Sequence, residues 1–332
     1  MGDAAGIGPE IIFRAFESGE LHAAVVVGDI GVMRRAAAGG MTALIDAPAD
    51  LDAVPPGCLP VLSAPGLSDD LTLLPQGSVD ARNGAAAARC IEHAVRLMQQ
   101  GAGAAIVTAP IHKEALAAAD VPYPGHTEML QALAAAPGTA PAPVRMMLAN
   151  PELRVVLVTI HMAVRQALEV LSFASVLQTL RIAHRAAAAW SDKPPRIAVA
   201  GLNPHAGEVG LFGDAEQRFI GPAVQAAVAE GIAASGPFAP DTVFMRARRG
   251  EFDIVVAMLH DHGLSPVKYL GTEEGVNVTL GLPFVRTSPD HGTAFDIAGR
   301  GVADASSLIA ALRMARRLIA GPKAAAAGAS PG

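Results

Sequence analysis

The run Arg154-Val155-Val156-Leu157-Val158-Thr159-Ile160-His161 is almost continuously apolar and ends in a histidine. A run without polar alternation is typical of a parallel strand that is covered on both faces. Residues 252–258 show the same pattern and are followed by Leu259-His260-Asp261-His262-Gly263. Further strands are predicted at 23–27, 104–108, 144–148 and 196–200. The chain is therefore expected to form buried, largely parallel sheets.

Amphipathic helices are predicted between these strands, at 84–100, 174–190, 214–230 and 305–319. In the first and last of them, apolar residues recur at three- and four-residue spacing with arginines between them. This alternation of strands and helices predicts an α/β fold. The length of 332 residues suits one large or two medium domains. Two segments rich in Pro, Gly and Ala, 135–143 and 235–240, are candidate boundaries.

Composition excludes several classes of protein. The net charge is −6 and no block of Lys or Arg occurs, so no nucleic-acid partner is expected. The mean hydropathy is +0.36, but no apolar stretch reaches the roughly 18 residues that span a bilayer. Two isolated cysteines, Cys58 and Cys90, and a start that does not resemble a signal peptide indicate the cytoplasm.

The usual nucleotide-binding motifs are missing. Gly6-Ile7-Gly8 and Gly101-Ala102-Gly103 each lack the third glycine of a G-x-G-x-x-G fingerprint, and no Walker A sequence is present. Any nucleotide cofactor must therefore be bound by another architecture.

Three histidines follow predicted strands. His161 and His260 end apolar runs, and His205 lies in Asn203-Pro204-His205-Ala206-Gly207-Glu208 after the strand at 196–200. Ligands of open α/β sheets bind at strand ends, and three neutral imidazoles with an open position form a catalytic divalent-metal site. A single strand-end histidine is more often structural, and the spacing leaves both interpretations open for these three.

Anion-binding residues are candidates in two places. Pro124-Gly125-His126-Thr127-Glu128-Met129 precedes a helical run, and an ordinary N-cap at Thr127 is favoured over an anion pocket there. Lys268, Asn277 and Arg286 lie among apolar neighbours and would suit a phosphate and a carboxylate, although a lone cation is usually a solvated surface charge.

These segments together resemble the 4-hydroxythreonine-4-phosphate dehydrogenase family, nearly end to end and in the same order. The run Ser288–Gly301 is also similar to the adenosine loop of isopropylmalate dehydrogenases. The resemblance implies two α/β/α domains of the isocitrate/isopropylmalate dehydrogenase-like type with a cleft between them. Residues 1–124 and 298–332 would form the first domain, and 125–297 the second, which would carry the metal ligands and a dimer interface.

The resemblance also implies roles for individual residues. It makes three histidines the ligands of a divalent metal (Zn, Co or Mg) in a homodimer whose active site lies at the interface: His161, His205 and His260. It makes five residues substrate contacts, namely His126, Thr127, Lys268, Asn277 and Arg286, with Lys268 and His126 as catalytic candidates. It assigns NAD or NADP binding to His291, Gly292, Thr293, Ala294 and Asp296, and the Asp296 carboxylate favours NAD.

The implied reaction is metal-dependent oxidation of 4-phosphohydroxy-L-threonine to a 3-keto acid, which decarboxylates to 3-amino-2-oxopropyl phosphate in vitamin B6 biosynthesis. Related alternatives are dehydrogenases of D-erythronate or D-threonate 4-phosphate and, more distantly, of a terephthalate dihydrodiol. A three-histidine metal hydrolase and a phosphoacyl transferase are alternatives from other classes. The chain departs from the family at Ala4, usually proline, at Val209, usually glycine, and at His262, usually glutamine.

Overall fold

The computed structural model describes residues 1–188, 193–271 and 273–321. The chain forms two compact units: unit 1 contains 1–142 and 282–316, and unit 2 contains the described residues of 143–281 and of 317–321. The α/β class is confirmed, because both units combine strands with helices. The division at 142/143 lies inside the candidate boundary 135–143, whereas the expected junctions at 124/125 and 297/298 lie within unit 1.

Unit 1 contains five strands, five complete helices and the start of a sixth. The strands are β1 (Val26–Gly28), β2 (Met41–Ile45), β3 (Cys58–Ser63), β4 (Ala105–Val107) and β11 (Val285–Pro289). The helices are α1 (Gly8–Glu17), α2 (Ile30–Ala36), α3 (Ala81–Gln99), α4 (Lys113–Ala118), α5 (His126–Ala134) and the start of α11 (Ser306–Ala320). Strands β1, β3 and β2 form a parallel sheet in that order, and β4 pairs in parallel with β11.

The described residues of unit 2 form six strands in the order β10-β5-β6-β9-β7-β8. They are β5 (Arg145–Ala149), β6 (Arg154–Leu157), β7 (Ile197–Ala200), β8 (Ala234–Phe238), β9 (Ile254–Ala257) and β10 (Val276–Leu280). The helices that lie wholly or partly in its described residues are α6 (Val164–Val170), α7 (Phe173–Ala188), α8 (Gly221–Ala229), α9 (Val243–Arg248) and α10 (His260–Tyr269), besides the end of α11. The pairs β10–β5 and β5–β6 are antiparallel, and the other three pairs are parallel.

Local sequence signals explain where several helices begin. Pro9 stands at the first turn of α1 with Glu10 beside it, as expected for a helix start. The side chain of Asp29 caps α2 by accepting a hydrogen bond from Val32 N at 2.7 Å, and Asp80 caps α3 through Arg82 N at 2.8 Å.

Within the described residues, no helix combines the length and apolar character needed to cross a bilayer.

All six predicted strands and all four predicted helices are present, although residues 189–190 of the second helix lie outside the described residues. Two predictions need correction. The segment 235–240 is not a boundary, because Ala234–Phe238 pairs with β7 inside unit 2. The helix predicted from 214 begins as a π-helical turn, Glu216–Ile220, before α8.

Apolar side chains form separate cores in the two units. In unit 1, one cluster surrounds Ile11, Met33 and Leu59, and a second joins α3 to α4 and α5 through Leu116 and Leu130. The core of unit 2 lies around β6 and β9 and includes, among others, Leu148, Val155, Leu157, Val255 and Ala257. These cores fix the strands whose ends carry the polar residues described below.

Helix α3 packs so closely on α4 that one position cannot hold a side chain. A Cβ atom added at Gly84 would lie 2.0 Å from the carbonyl oxygen of Ala115. That contact is with backbone rather than with a movable side chain, so the two helices would have to separate.

We expect Gly84→Ala to destabilise the protein by about 1–3 kcal/mol, because the overlap outweighs the higher helix propensity of alanine. Urea unfolding measures the change. Arg89→Ala, on the exposed side of the same helix, is the control and should be nearly neutral. A more stable Gly84→Ala protein would contradict the close approach.

Candidate functional site

Two of the predicted histidines meet at the ends of neighbouring parallel strands in unit 2. Strands β6 and β9 pair in register, with Val155 opposite Val255. The pairing continues beyond the strands, since Val158 N donates to Ala257 O at 2.9 Å. The ring centroids of His161 and His260 are consequently 5.7 Å apart. His260 Nδ1 also lies 2.7 Å from a carboxylate oxygen of Asp261.

This histidine pair can supply part of a metal site. Imidazole nitrogens are suitable donors for Zn²⁺ and similar ions, and a neighbouring carboxylate commonly orients such a ring. Among the described residues, however, no group of three or more His, Cys, Asp or Glu side chains could hold an ion. The donor set of one chain therefore fits two ligand positions, and His205 is not gathered with His161 and His260.

His205 lies in a backbone turn of opposite hand to an ordinary helix. Five consecutive residues, 205–209, have φ between 40° and 79°. Only Gly207 among them adopts such angles without cost, and the left-handed conformation costs about 1–2 kcal/mol for each other residue. Val209 is β-branched and 89% exposed, so little around its side chain offsets that cost. The turn therefore needs support from elsewhere.

The buried carboxylate of Glu216 provides that support. One of its oxygens accepts hydrogen bonds from Leu202 N at 2.7 Å and Asn203 N at 2.8 Å, and the other accepts from Asn203 Nδ2 at 2.9 Å. Burial acts to raise the pKa of Glu216, but the hydrogen bonds from Asn203 and Leu202 outweigh it and hold that pKa below its usual range. Glu216 is therefore a charged acceptor beneath the His205 turn.

A buried cation reaches the end of strand β4 in unit 1. Arg286, on β11, is 3% exposed, and its Nη2 donates to Thr108 Oγ1 at 2.7 Å. Thr108 directly follows β4, the parallel neighbour of β11. Burial lowers the pKa of the Arg286 guanidinium to about 10, so the side chain remains positively charged at neutral pH.

Helix α5 begins beside this cation. Gly125 is its N-cap and no side chain caps the helix, so the expectation of an N-cap at Thr127 is wrong. Desolvation first, and then the charge of Arg286, hold the pKa of His126 well below its usual range. A neutral imidazole, a guanidinium and an uncapped helix N-terminus together favour an anion.

The predicted cofactor loop in unit 1 is fixed by the first residues of the chain. Ile7 N donates to Thr293 O at 3.0 Å, and a Cβ at Gly6 would lie 3.0 Å from that same oxygen. The ring of Phe295 stacks on His112 with centroids 4.5 Å apart.

The other predicted cofactor residues lie at the surface or in turns of this loop. Ala294 has a φ of 42°, and Gly292 and Asp296 are exposed. His291 Nδ1 lies 3.0 Å from Gly292 O.

The two remaining predicted substrate contacts lie in unit 2. Asn277 is on β10, and its buried side-chain oxygen has no hydrogen-bond partner within the described part of the chain. Lys268 is exposed in the last turn of α10, whereas His260 begins that helix. A rise of 1.5 Å per residue puts about 12 Å between them along the axis. Lys268 is therefore not adjacent to the histidine pair of its own chain.

Three contributors escape sequence reasoning: Thr108, His112 and Glu216. Thr108 ends a predicted strand, so the strand-end argument that selected the histidines could have found it. His112 and Glu216 act through partners distant in sequence, and no local pattern marks them.

An α/β fold with polar and charged residues near strand ends in both units is typical of enzymes. Residues 20–315 match the family described as pyridoxal phosphate biosynthetic protein PdxA. The 4-hydroxythreonine-4-phosphate dehydrogenase of Beijerinckia indica is 54% identical over 96% of this chain and 93% of that protein. The D-threonate 4-phosphate dehydrogenase of Pectobacterium atrosepticum is 45% identical over 96% and 97%, respectively.

A solved structure agrees with these relatives. The crystal structure of 4-hydroxythreonine-4-phosphate dehydrogenase from Klebsiella pneumoniae superposes with a TM-score of 0.86 at 44% identity, over 96% of each chain. The chain belongs to the PdxA family, and it is a dehydrogenase.

The low pKa of His126 predicts a pH dependence of stability. Below about pH 6.5, the ordinary pKa of histidine, the unfolded chain binds a proton that folded His126 does not, so acid favours unfolding. Stability that is present above this pH should be lost as the pH falls. In wild-type protein the free energy of unfolding should therefore rise with pH in this range. We expect His126→Asn to reduce the slope of that rise by up to about 1.4 kcal/mol per pH unit.

Urea unfolding between about pH 7 and pH 5 measures this slope. His22→Asn, at an exposed position, is the matched control for loss of an imidazole. Equal slopes for wild type and His126→Asn would contradict the inferred environment.

Proposed function

We propose that this chain catalyses NAD(P)-linked, divalent-metal-dependent oxidation of 4-phosphohydroxy-L-threonine. The product is a 3-keto acid that loses CO₂ to give 3-amino-2-oxopropyl phosphate, a step of vitamin B6 biosynthesis. The observation that carries the proposal is the buried Arg286 beside the uncapped N-terminus of α5, because a dianionic phosphate complements both. The name of the relative from Beijerinckia indica supports the substrate.

The phosphate would be held by Arg286 together with His126 and Thr127 in the first turn of α5. The neutral His126 can donate one ring N–H without adding a charge, and Thr127 offers a hydroxyl. Lys268 and Asn277 are the further substrate contacts that the family resemblance implies. Lys268 or an ordered water is our candidate for handling the proton of the substrate hydroxyl.

The divalent ion would be held by His161 and His260 of one subunit and by His205 of a second. When bound, such an ion supplies Lewis-acid stabilisation of oxygen anions on the substrate. A homodimer is supported by apolar side chains near these histidines in sequence that unit 2 leaves exposed: Met162, Val164, Leu168, Phe173, Val209, Leu211 and Phe212. Exposed apolar groups of this kind are typical of interfaces.

The loop from His291 to Asp296 would hold the adenosine part of NAD or NADP. When bound, the nicotinamide ring supplies the hydride acceptor. The exposed Asp296 carboxylate can accept hydrogen bonds from ribose hydroxyls and would repel a 2′-phosphate, which favours NAD.

A cytoplasmic location is part of the proposal. The two free cysteines, Cys58 and Cys90, fit a reducing cytoplasm.

D-Threonate 4-phosphate is the second candidate substrate. The relative from Pectobacterium atrosepticum carries that name at 45% identity. Both candidates share the 4-phosphate that Arg286 would bind, so this arginine does not distinguish them. The difference lies at C2, which carries an amine in one and a hydroxyl in the other.

The substrate is tested by NADH formation in metal-reconstituted protein with 4-phosphohydroxy-L-threonine, D-threonate 4-phosphate and D-erythronate 4-phosphate in parallel. We expect turnover of the first, and its loss on addition of a chelator. If only D-threonate 4-phosphate or only D-erythronate 4-phosphate is turned over, that compound replaces 4-phosphohydroxy-L-threonine as the substrate. Absence of turnover with all three, in a metal-loaded dimer, would refute the proposal.

The phosphate contact is tested by substitution at Arg286. We expect Arg286→Met to raise KM about ten- to a hundredfold, since a charge-assisted hydrogen bond contributes about 1.5–3 kcal/mol. The KM of Arg286→Lys should lie between those of wild type and Arg286→Met, because lysine keeps the charge but lacks the planar, forked guanidinium group. Inhibition by inorganic phosphate should weaken in parallel, and thermal unfolding controls for lost stability. An unchanged KM in a folded Arg286→Met protein would remove Arg286 from the site.

A further inference from the structure

The Glu216 carboxylate is enclosed by the loop that carries His205. Its oxygens take three hydrogen bonds, two from backbone N–H groups and one from the Asn203 side chain. All three donors belong to the two residues that precede Pro204-His205. The carboxylate therefore fixes the entry to the left-handed turn.

Glycines make room for this carboxylate. A Cβ at Gly207 would lie 2.7 Å from Glu216 Oε2, and one at Gly201 would lie 3.1 Å from Oε1. A Cβ at Gly213 would lie 2.7 Å from the Asn203 amide that Glu216 holds. The loop backbone thus surrounds the Glu216 side chain on several sides. Side chains at these three glycine positions would collide with Glu216 or with Asn203.

The segment that carries Glu216 is anchored by buried side chains. Glu216 begins the π-helical turn that leads into α8, and Phe219 and Ile220 of that turn are buried. The turn also packs against α7. Backbone hydrogen bonds inside the loop include Ala206 N to Asn203 O at 3.1 Å and Phe212 N to Gly207 O at 3.1 Å. Strained backbone persists only where its surroundings over-determine it.

We propose that Glu216 is a positioning residue for the metal site: its hydrogen bonds to Leu202 and Asn203 hold the left-handed turn that presents His205 as a ligand. This inference rests on the proposed function in one respect, namely that His205 binds the ion. Glu216 itself touches neither ion nor substrate. Its effect on the reaction passes through the conformation of residues 203–209.

The test compares Glu216→Ala and Glu216→Gln in the full-length protein. We expect Glu216→Ala to weaken Zn²⁺ binding about ten- to a hundredfold, the usual effect of losing a group that orients a ligand. Competition with a chromogenic chelator measures the affinity without substrate or cofactor. Glu216→Gln should bind nearly as wild type, because its amide oxygen can accept both backbone hydrogen bonds and the Asn203 amide can turn over to pair with it.

Hydrogen exchange gives a second readout that a general loss of stability would not produce. We expect amides between 201 and 213 to exchange faster in Glu216→Ala, while those of β7 and β9 keep their wild-type protection. Glu230→Ala is the matched control, since it removes a carboxylate of the same unit whose partner is Arg181 at the surface. That control should change neither Zn²⁺ affinity nor exchange in this loop.

Several outcomes would overturn the inference. They are wild-type Zn²⁺ affinity in Glu216→Ala, unchanged exchange at 201–213, or an equal loss of affinity in Glu230→Ala. If Glu216→Ala does not fold, a folded Glu216→Gln protein with lost Zn²⁺ binding also overturns it. Wild-type protein that binds Zn²⁺ but turns over no phosphorylated acid would refute the proposed function and leave this inference intact.

Discussion

Parallel hydrogen bonding of β9 with both β6 and β7 is the constraint on which the histidine arrangement depends. The pairing sets Val155 opposite Val255 and Ile197 opposite Ile254, so the three strands end at one edge of the sheet. His161 and His260 follow two of these ends and meet there. His205 comes five residues after the third strand, and its left-handed turn separates it from the pair. Backbone pairing thus brings two of the three histidines together, and loop conformation decides the place of the third.

The anion pocket that we propose in unit 1 depends on burial of charge. An arginine that is nearly inaccessible keeps its proton even though burial lowers its pKa, because its ordinary pKa is so high. Burial also lowers the pKa of His126, but its ordinary pKa is much lower than that of arginine, so this side chain loses its charge. One desolvated environment therefore yields a permanent cation and a neutral hydrogen-bonding group side by side, which suits recognition of a phosphate group over small apolar ligands.

The strands were predictable from sequence because buried parallel strands are continuously apolar, as 154–159 and 252–258 show. The strand Ala234–Phe238 was mistaken for a boundary because it contains Gly236 and Pro237, which local rules assign to loops. The strand-end histidines were found in the same way as the strands. Glu216 was not, because its partners lie 13 and 14 residues earlier and only the folded loop brings them together. Pairings across loops have no local signature.

The left-handed turn has a consequence for the order of folding. Unfolded chains rarely visit this conformation at residues other than glycine, so His205–Val209 cannot nucleate its own structure. The acceptor that fixes the turn is synthesised after it and becomes rigid only when Phe219 and Ile220 are buried. The strands of unit 2 can therefore pair while His205 is still misplaced. The position of His205 would then be among the last features of the unit to mature, after its core is complete.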